Sequence, residues 1–258
     1  MTEMGEKGRT RVERFADHYS QARLFYLSQT AYEQAHIASA LVFELSKVEH
    51  PHIRAAMVGH LRHIEEDLAS RVAAGLGCDK MPEAPWAAAP VLEMAPSPSL
   101  QLIGKMKDTL MGRAIGILIS DGSDGTVIKR LEEAAITAGA SVKIVAPKIG
   151  GAKLADGSML AADGQLAGTP SVLFDAVAII LSEAGADAFS KEGAAIDFVR
   201  DAFGHLKAIA VDAGGQRLLK EASVGQYAGI VDTNDTDAFI AAAKTRQWAR
   251  EKSVRSLA

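Results

Sequence analysis

The stretch from Gly112 through Pro147, GRAIGILISDGSDGTVIKRLEEAAITAGASVKIVAP, constrains the fold more than any other. Ala114 to Ile119 is a nearly all-apolar run of strand length, the pattern of a parallel strand covered on both faces. Asp121, Gly122, Ser123, Asp124 and Gly125 supply turn and helix-start chemistry. Val127, Leu131, Ala134 and Ala135 then recur at helical spacing until Gly139 ends the helix. Ser141 to Ala146 is a second strand, closed by Pro147. Strand, turn, helix, glycine stop and strand make a right-handed crossover in a parallel sheet.

The chain downstream continues the alternation. Gly151 to Leu166 holds Ala155-Asp156-Gly157 between two short runs, the pattern of a small hairpin. Phe174 to Leu181 reads as a buried strand and Gly193 to Phe203 as a helix. Ala208 to Val211 is a strand running into a Gly214-Gly215 turn, with a helix from Gln216 to Ala222. A strand at Gly229 to Val231 and a helix from Asp235 to about Arg250 complete an α/β sandwich over residues 110–258.

The first 77 residues are different. Met1 to Arg14 is a polar lead. Thr30-Ala-Tyr-Glu33 is a capping box, and Ile37, Leu41, Leu45 and Val48 form a helical stripe behind it. Pro51 suits a first helical position, and Ile53, Met57, Leu61, Ile64, Leu68 and Val72 make a second stripe ending near Gly75 and Gly77. The two stripes predict a helical hairpin with apolar surface left to bury elsewhere. Residues 78–109 carry Pro82, Pro85, Pro90, Pro96 and Pro98 and read as a stiff, extended linker.

A formal net charge of -4 gives no electrostatic reason to expect nucleic acid as partner. The single cysteine, Cys78, excludes an internal disulfide and suits a reducing compartment, so the cytoplasm is the expected location. No apolar core follows Met1, where the chain reads TEMGEKGRTRVER, and no run is long enough to span a bilayer. Neither secretion nor a membrane partner is expected.

Three places invite chemistry. Six of the seven histidines, His18, His36, His50, His52, His60 and His63, fall in the helical part, and Glu33-x-x-His36 has the spacing of half a di-iron site. The second motif and the further carboxylate helices that such a site needs are missing, so no metal is assigned. Asp121 and Asp124 follow the first strand as in a phosphatase loop, but capping and turn formation explain them better, and the Gly-Lys-Ser/Thr of a phosphate-binding loop is lacking. Asp212 stands at a strand-to-helix elbow, where a helix cap is again the simpler role.

Two resemblances add to this reading. The α/β half resembles the class I glutamine-amidotransferase-like superfamily, flavodoxin-like in its layering, in which a cysteine at the elbow, often followed by histidine, is the nucleophile. Asp212 and Ala213 occupy those positions here, so hydrolase or deglycase chemistry by that route is not expected. The run Phe15-Ala-Asp-His-Tyr-Ser-Gln-Ala22, with Leu24-Phe25, Glu33-Gln34, His36-Ile37, Phe43-Glu44-Leu45, Lys47-Val48, Ile53-Arg54 and Met57-Val58, is similar to the helical segment that follows the haem-binding core in haem catalases.

Together with the Pro-rich linker and the α/β half, that run resembles the C-terminal portion of the large-subunit catalases. The resemblance implies a whole enzyme that decomposes hydrogen peroxide to water and oxygen at a haem. It places the distal histidine and asparagine and the proximal tyrosine upstream of the matched segment. The Arg-x-x-x-Tyr pattern of the proximal ligand occurs at none of Tyr19, Tyr26, Tyr32 and Tyr227, and His18 is not the distal base. No catalytic, haem-binding or metal residue is therefore expected in this chain. The expected role is support of assembly and stability, with a catalase core or a second copy as partner through the helices. The alternatives are a free-standing hydrolase or deglycase using Asp212, and a chaperone-like binding protein.

Overall fold

The structure is a computed structural model that describes residues 13–254 together with Gly5, Gly8 and Arg9. The polar lead expected over residues 1–14 lies mostly outside the described residues. The chain divides into two compact units that meet in sequence between Lys105 and Met106.

The first unit holds four helices among the described residues, α1 (Ser20–Ser28), α2 (Ala31–Ser46), α3 (Pro51–Ile64) and α4 (Glu66–Gly75). The Thr30–Glu33 capping box forms and starts α2, and Pro51 opens α3. A Schellman motif ends α4: Gly77 lies at φ +67°, its N–H meets Ala74 O, and Cys78 N donates to Ala73 O at 3.0 Å. The second apolar stripe, read from sequence as one helix, breaks at Glu65, whose backbone is extended at φ -161°, ψ 131°. Arg23 of α1 holds the break. Its Nη1 donates to Ile64 O at 2.7 Å and to the Glu65 carboxylate at 2.6 Å. The break lets α4 pack on both α2 and α3 while α1 packs on α3. Val58, Leu61, Leu68 and Val72 are buried with Tyr26 and Ala38, so the second stripe is covered largely within the unit. Phe15, Phe25, Phe43 and Ile53 stay exposed.

The Pro-rich stretch is extended, and it is tied to these helices. Arg62 donates to Pro82 O and His63 Nε2 meets Pro85 O at 2.7 Å. Val91 N donates to Ser20 Oγ, Ser97 N to Ser28 Oγ, and Gln29 Nε2 to Leu100 O. Gly59 makes room for it, since a Cβ there would overlap the Glu83 carbonyl oxygen. The stretch is a strap running in the same direction as α1.

The second unit is a six-stranded, all-parallel sheet. In chain order its strands are β1 (Ala114–Ile119), β2 (Ser141–Ala146), β5 (Gly164–Gln165), β6 (Ala176–Ile180), β7 (Ile209–Val211) and β8 (Ile230–Asp232), and their spatial order is β5-β2-β1-β6-β7-β8. The expected hairpin is β3 (Ala152–Lys153) against β4 (Met159–Leu160), antiparallel. Residues alternate between two cores, as the twofold period of strands requires. Leu118, Val145, Val177, Ile179 and Val211 face α6 (Glu183–Phe189), α7 (Gly193–Gly204) and α8 (Ala213–Glu221). Ile115, Ile117, Ile144, Ala178 and Ala210 face α5 (Gly125–Thr137) and α9 (Thr236–Ala243).

In the second unit several elements differ from expectation. The helix α6 has no counterpart in the sequence reading. Gly214 and Gly215 lie in the first turn of α8 rather than in a turn before it, because α8 sits so close to the sheet that a Cβ on Gly215 would come within 2.6 Å of Ile179 O. The last helix stops at Ala243 rather than near Arg250, and Gln247 Nε2 takes the Ala242 carbonyl at 2.8 Å. No helix among the described residues is long and apolar enough to cross a membrane.

Candidate functional site

In an open parallel sheet, ligands sit outside the carboxyl ends of the strands, where the strand order reverses. Here that point lies between β1 and β6, and hydroxyl groups fill it. Ser123 Oγ donates to Ile180 O at 2.6 Å and accepts from Ser120 N at 2.9 Å. Ser182 N donates to Ser120 Oγ, and Ser182 Oγ donates to Asp121 O at 2.6 Å while accepting from Gly185 N at 3.0 Å. Ser120 and Ser123 are buried. Gly122, at φ +81°, would place a Cβ 2.9 Å from Ser182 Cβ, and a Cβ on Gly185 would overlap the Ser120 hydroxyl. The crevice is closed by a hydrogen-bonded plug. Sequence reasoning missed it, although both strands run into the same signal, Ser120-Asp121 after β1 and Ser182-Glu183 after β6.

The two loop aspartates have separate structural tasks. Asp121 Oδ1 accepts from Lys153 N at 2.8 Å and so anchors the β3–β4 hairpin. Asp124 caps α5, accepting from Thr126 N at 2.8 Å and Val127 N at 3.3 Å.

Asp212 follows β7 and caps α8. Its Oδ1 accepts from Gly215 N at 2.7 Å and its Oδ2 from Leu181 N at 2.9 Å. Burial raises its pKa above the ordinary aspartate value, and these two N–H groups only partly offset that. A nucleophile elbow is a strained turn, whereas Asp212 has an extended backbone at φ -89°, ψ -171°. Among the described residues the non-glycine positions with positive φ are Leu206 and Ser223, neither at the elbow. A groove of about 410 Å³ passes Asp212, lined also by Leu181, Glu183, Ala186, Gly214 and Arg217, and Arg217 pairs with Asp187. A second groove, of about 460 Å³, lies between α5 and the hairpin and is bordered by Lys129, Arg130, Glu133 and Asp156.

The helical unit gathers no metal site among the described residues. Glu33 is buried, and its carboxylate accepts from Thr30 N, Thr30 Oγ1, Leu102 N and Ile103 N. Burial works against its charge, but these donors outweigh it, and its pKa lies below the ordinary glutamate value. His60 Nδ1 is 2.7 Å from the Tyr19 hydroxyl, and the Tyr19 ring stacks on His63 at 4.7 Å. Cys78 is half-buried beside the helical core, in the chain reversal after α4.

Neither Tyr19 nor Tyr227 has the setting of a haem ligand. A tyrosinate needs a neighbouring cation and a closed apolar pocket. Tyr19 is bound to His60, Tyr227 lies against Phe203, and neither of the grooves at Asp212 and at Lys129 is lined by a tyrosine. Tyr26 is buried, and that burial raises its pKa, with Arg71 offsetting it only in part.

Residues 12–76 match the family described as catalase-related immune-responsive, and residues 111–246 match that described as the C-terminal domain found in long catalases. Catalase C of Rhizobium meliloti is 44% identical over 260 residues, covering 98% of this chain and 37% of that protein. Catalase HPII of Pseudomonas aeruginosa is 36% identical, covering 98% of this chain and 36% of its own length. Catalase-B of Dictyostelium discoideum is 31% identical, with 97% of this chain and 37% of that protein covered. The chain spans a little over a third of the length of these relatives.

Proposed function

The chain belongs to the family of the C-terminal domain of long catalases, and from that premise we propose that it is the non-catalytic C-terminal portion of a large-subunit haem catalase. In this reading the whole enzyme decomposes hydrogen peroxide to water and oxygen in the cytoplasm, and this portion supports its assembly and stability. No catalytic or haem-binding residue is assigned to the chain. The partner is the catalase core, or a second copy, met through the exposed Phe15, Phe25, Phe43 and Ile53 of the helical unit.

The closed switch point carries this reading. The place where an α/β domain of this topology takes a substrate is occupied by Ser120, Ser123 and Ser182 with their hydrogen bonds satisfied. Both carboxylate oxygens at the elbow hold backbone N–H groups. The test is a chimera in which this chain replaces the matching portion of Rhizobium meliloti catalase C. Subunit assembly and heat resistance equal to the parent's are expected, against loss of both when the portion is deleted. A deletion that assembles and survives heating as well as the parent would remove the supporting role.

A further inference from the structure

We propose that Glu33 is a two-sided clasp, one carboxylate oxygen closing the start of α2 and the other locking the end of the Pro-rich strap onto the helical unit. Oε2 accepts from Thr30 N at 2.8 Å and Thr30 Oγ1 at 2.9 Å, while Thr30 Oγ1 in turn receives Glu33 N at 3.4 Å. Oε1 accepts from two successive backbone amides, Leu102 N at 2.6 Å and Ile103 N at 2.9 Å. A capping box needs only the first oxygen. The second is directed at a segment 69 and 70 residues away in sequence, and Glu33 is only 7% exposed there.

Only an ionised carboxylate can serve both sides. Four donors converge on two oxygens that carry no proton, and bonds to a charged acceptor are roughly twice as strong as neutral ones. The other ties of the strap are single bonds spread from Pro82 to Leu100. The clasp is its last tie, and the tether towards the α/β unit starts at Gly104 rather than at the end of α4. Glu33 therefore acts by fixing the point at which the connecting chain leaves the helices.

Chemistry separates clasp from cap. Thr30→Ala removes the cap hydroxyl and leaves Oε1 untouched. Glu33→Ala removes both sides. Glu33→Gln keeps the shape but has one acceptor oxygen. That oxygen must face the strap, where both partners are N–H groups, because the Thr30 hydroxyl can rotate to accept from the new amide and Leu102 and Ile103 cannot.

The experiment is residue-resolved amide hydrogen exchange on the full chain, with far-UV circular dichroism and the rate of tryptic cleavage after Lys105 and Lys107. Glu33→Ala is expected to speed exchange at Leu102 and Ile103 tenfold or more and to hasten cleavage. Thr30→Ala is expected to leave both unchanged. Glu33→Gln is expected to keep protection at Leu102 and Ile103 while losing it at the Thr30 amide. If Glu33→Ala unravels the helices, the other two variants decide. Loss of strap protection in Thr30→Ala, or its loss in Glu33→Gln with the Thr30 amide still protected, overturns the proposal. So does unchanged protection in a folded Glu33→Ala.

Discussion

Lys207 has almost no access to water, being 2% exposed, and its ammonium donates to Ser171 O at 2.6 Å. Burial, assisted by the nearby Arg246 guanidinium, lowers its pKa from the usual 10.5 to about 8, with Asp175 and Asp201 pulling the other way. The folded chain thus binds fewer protons at this residue than the unfolded chain between those two values. Stability must rise with pH across that window, because the cost of burying the charge disappears as the proton leaves. The expected contribution is on the order of 1 kcal/mol per pH unit. Thermal unfolding of the chain at pH 7.5, 9 and 10 should show it as a difference from Lys207→Met, whose profile is flatter. Identical slopes for the two proteins would mean that Lys207 does not carry this dependence. Nothing in the sequence marks Lys207, since one lysine before a strand is ordinary. Its burial comes from Ser171 and Arg246, residues far along the chain.

At the scale of elements, α8 depends on its cap. Asp212 satisfies Gly215 N and joins the helix to the end of β6 through Leu181 N. Asp212→Ala should cost about 1–2 kcal/mol in chemical denaturation, as loss of an N-cap does, and should abolish no hydrolytic or deglycase turnover. Turnover in the parent that vanishes in a folded Asp212→Ala protein would restore the enzyme reading. The cap was legible because an aspartate between a strand and a helical run has few other tasks. The β1–α5–β2 unit was legible because its period changes at Asp124 and at Gly139. The helix α6 was not: its sequence EAGADAF is a single short, alanine-rich stretch, and Gly185 sits inside it because Ser120 leaves no room for a Cβ. The break at Glu65 was hidden for another reason. The apolar stripe from Ile53 to Val72 continues across it, and its cause is Arg23, on another helix.

For the whole molecule, the Arg-x-x-x-Tyr pattern of the proximal haem ligand occurs at none of Tyr19, Tyr26, Tyr32 and Tyr227, so the purified chain should show no Soret band and release no oxygen from peroxide. A Soret band whose intensity tracks oxygen release would contradict this. The two-part organisation was legible from the prolines, which end one composition and begin another. That the strap belongs to the helical unit was not, because its ties come from Ser20, Ser28 and Gln29, side chains with no local signature of a distant partner. Those ties and the Glu33 clasp join residues 69 to 71 positions apart. Helices form in about a microsecond, but contacts this distant wait on loop closure. During synthesis α1 to α4 leave the ribosome with the track for the strap still vacant, and at about 5–20 residues per second the strap reaches it only seconds later. The helical unit is thus finished by the arrival of its own C-terminal segment, immediately before the first strand of the α/β unit emerges.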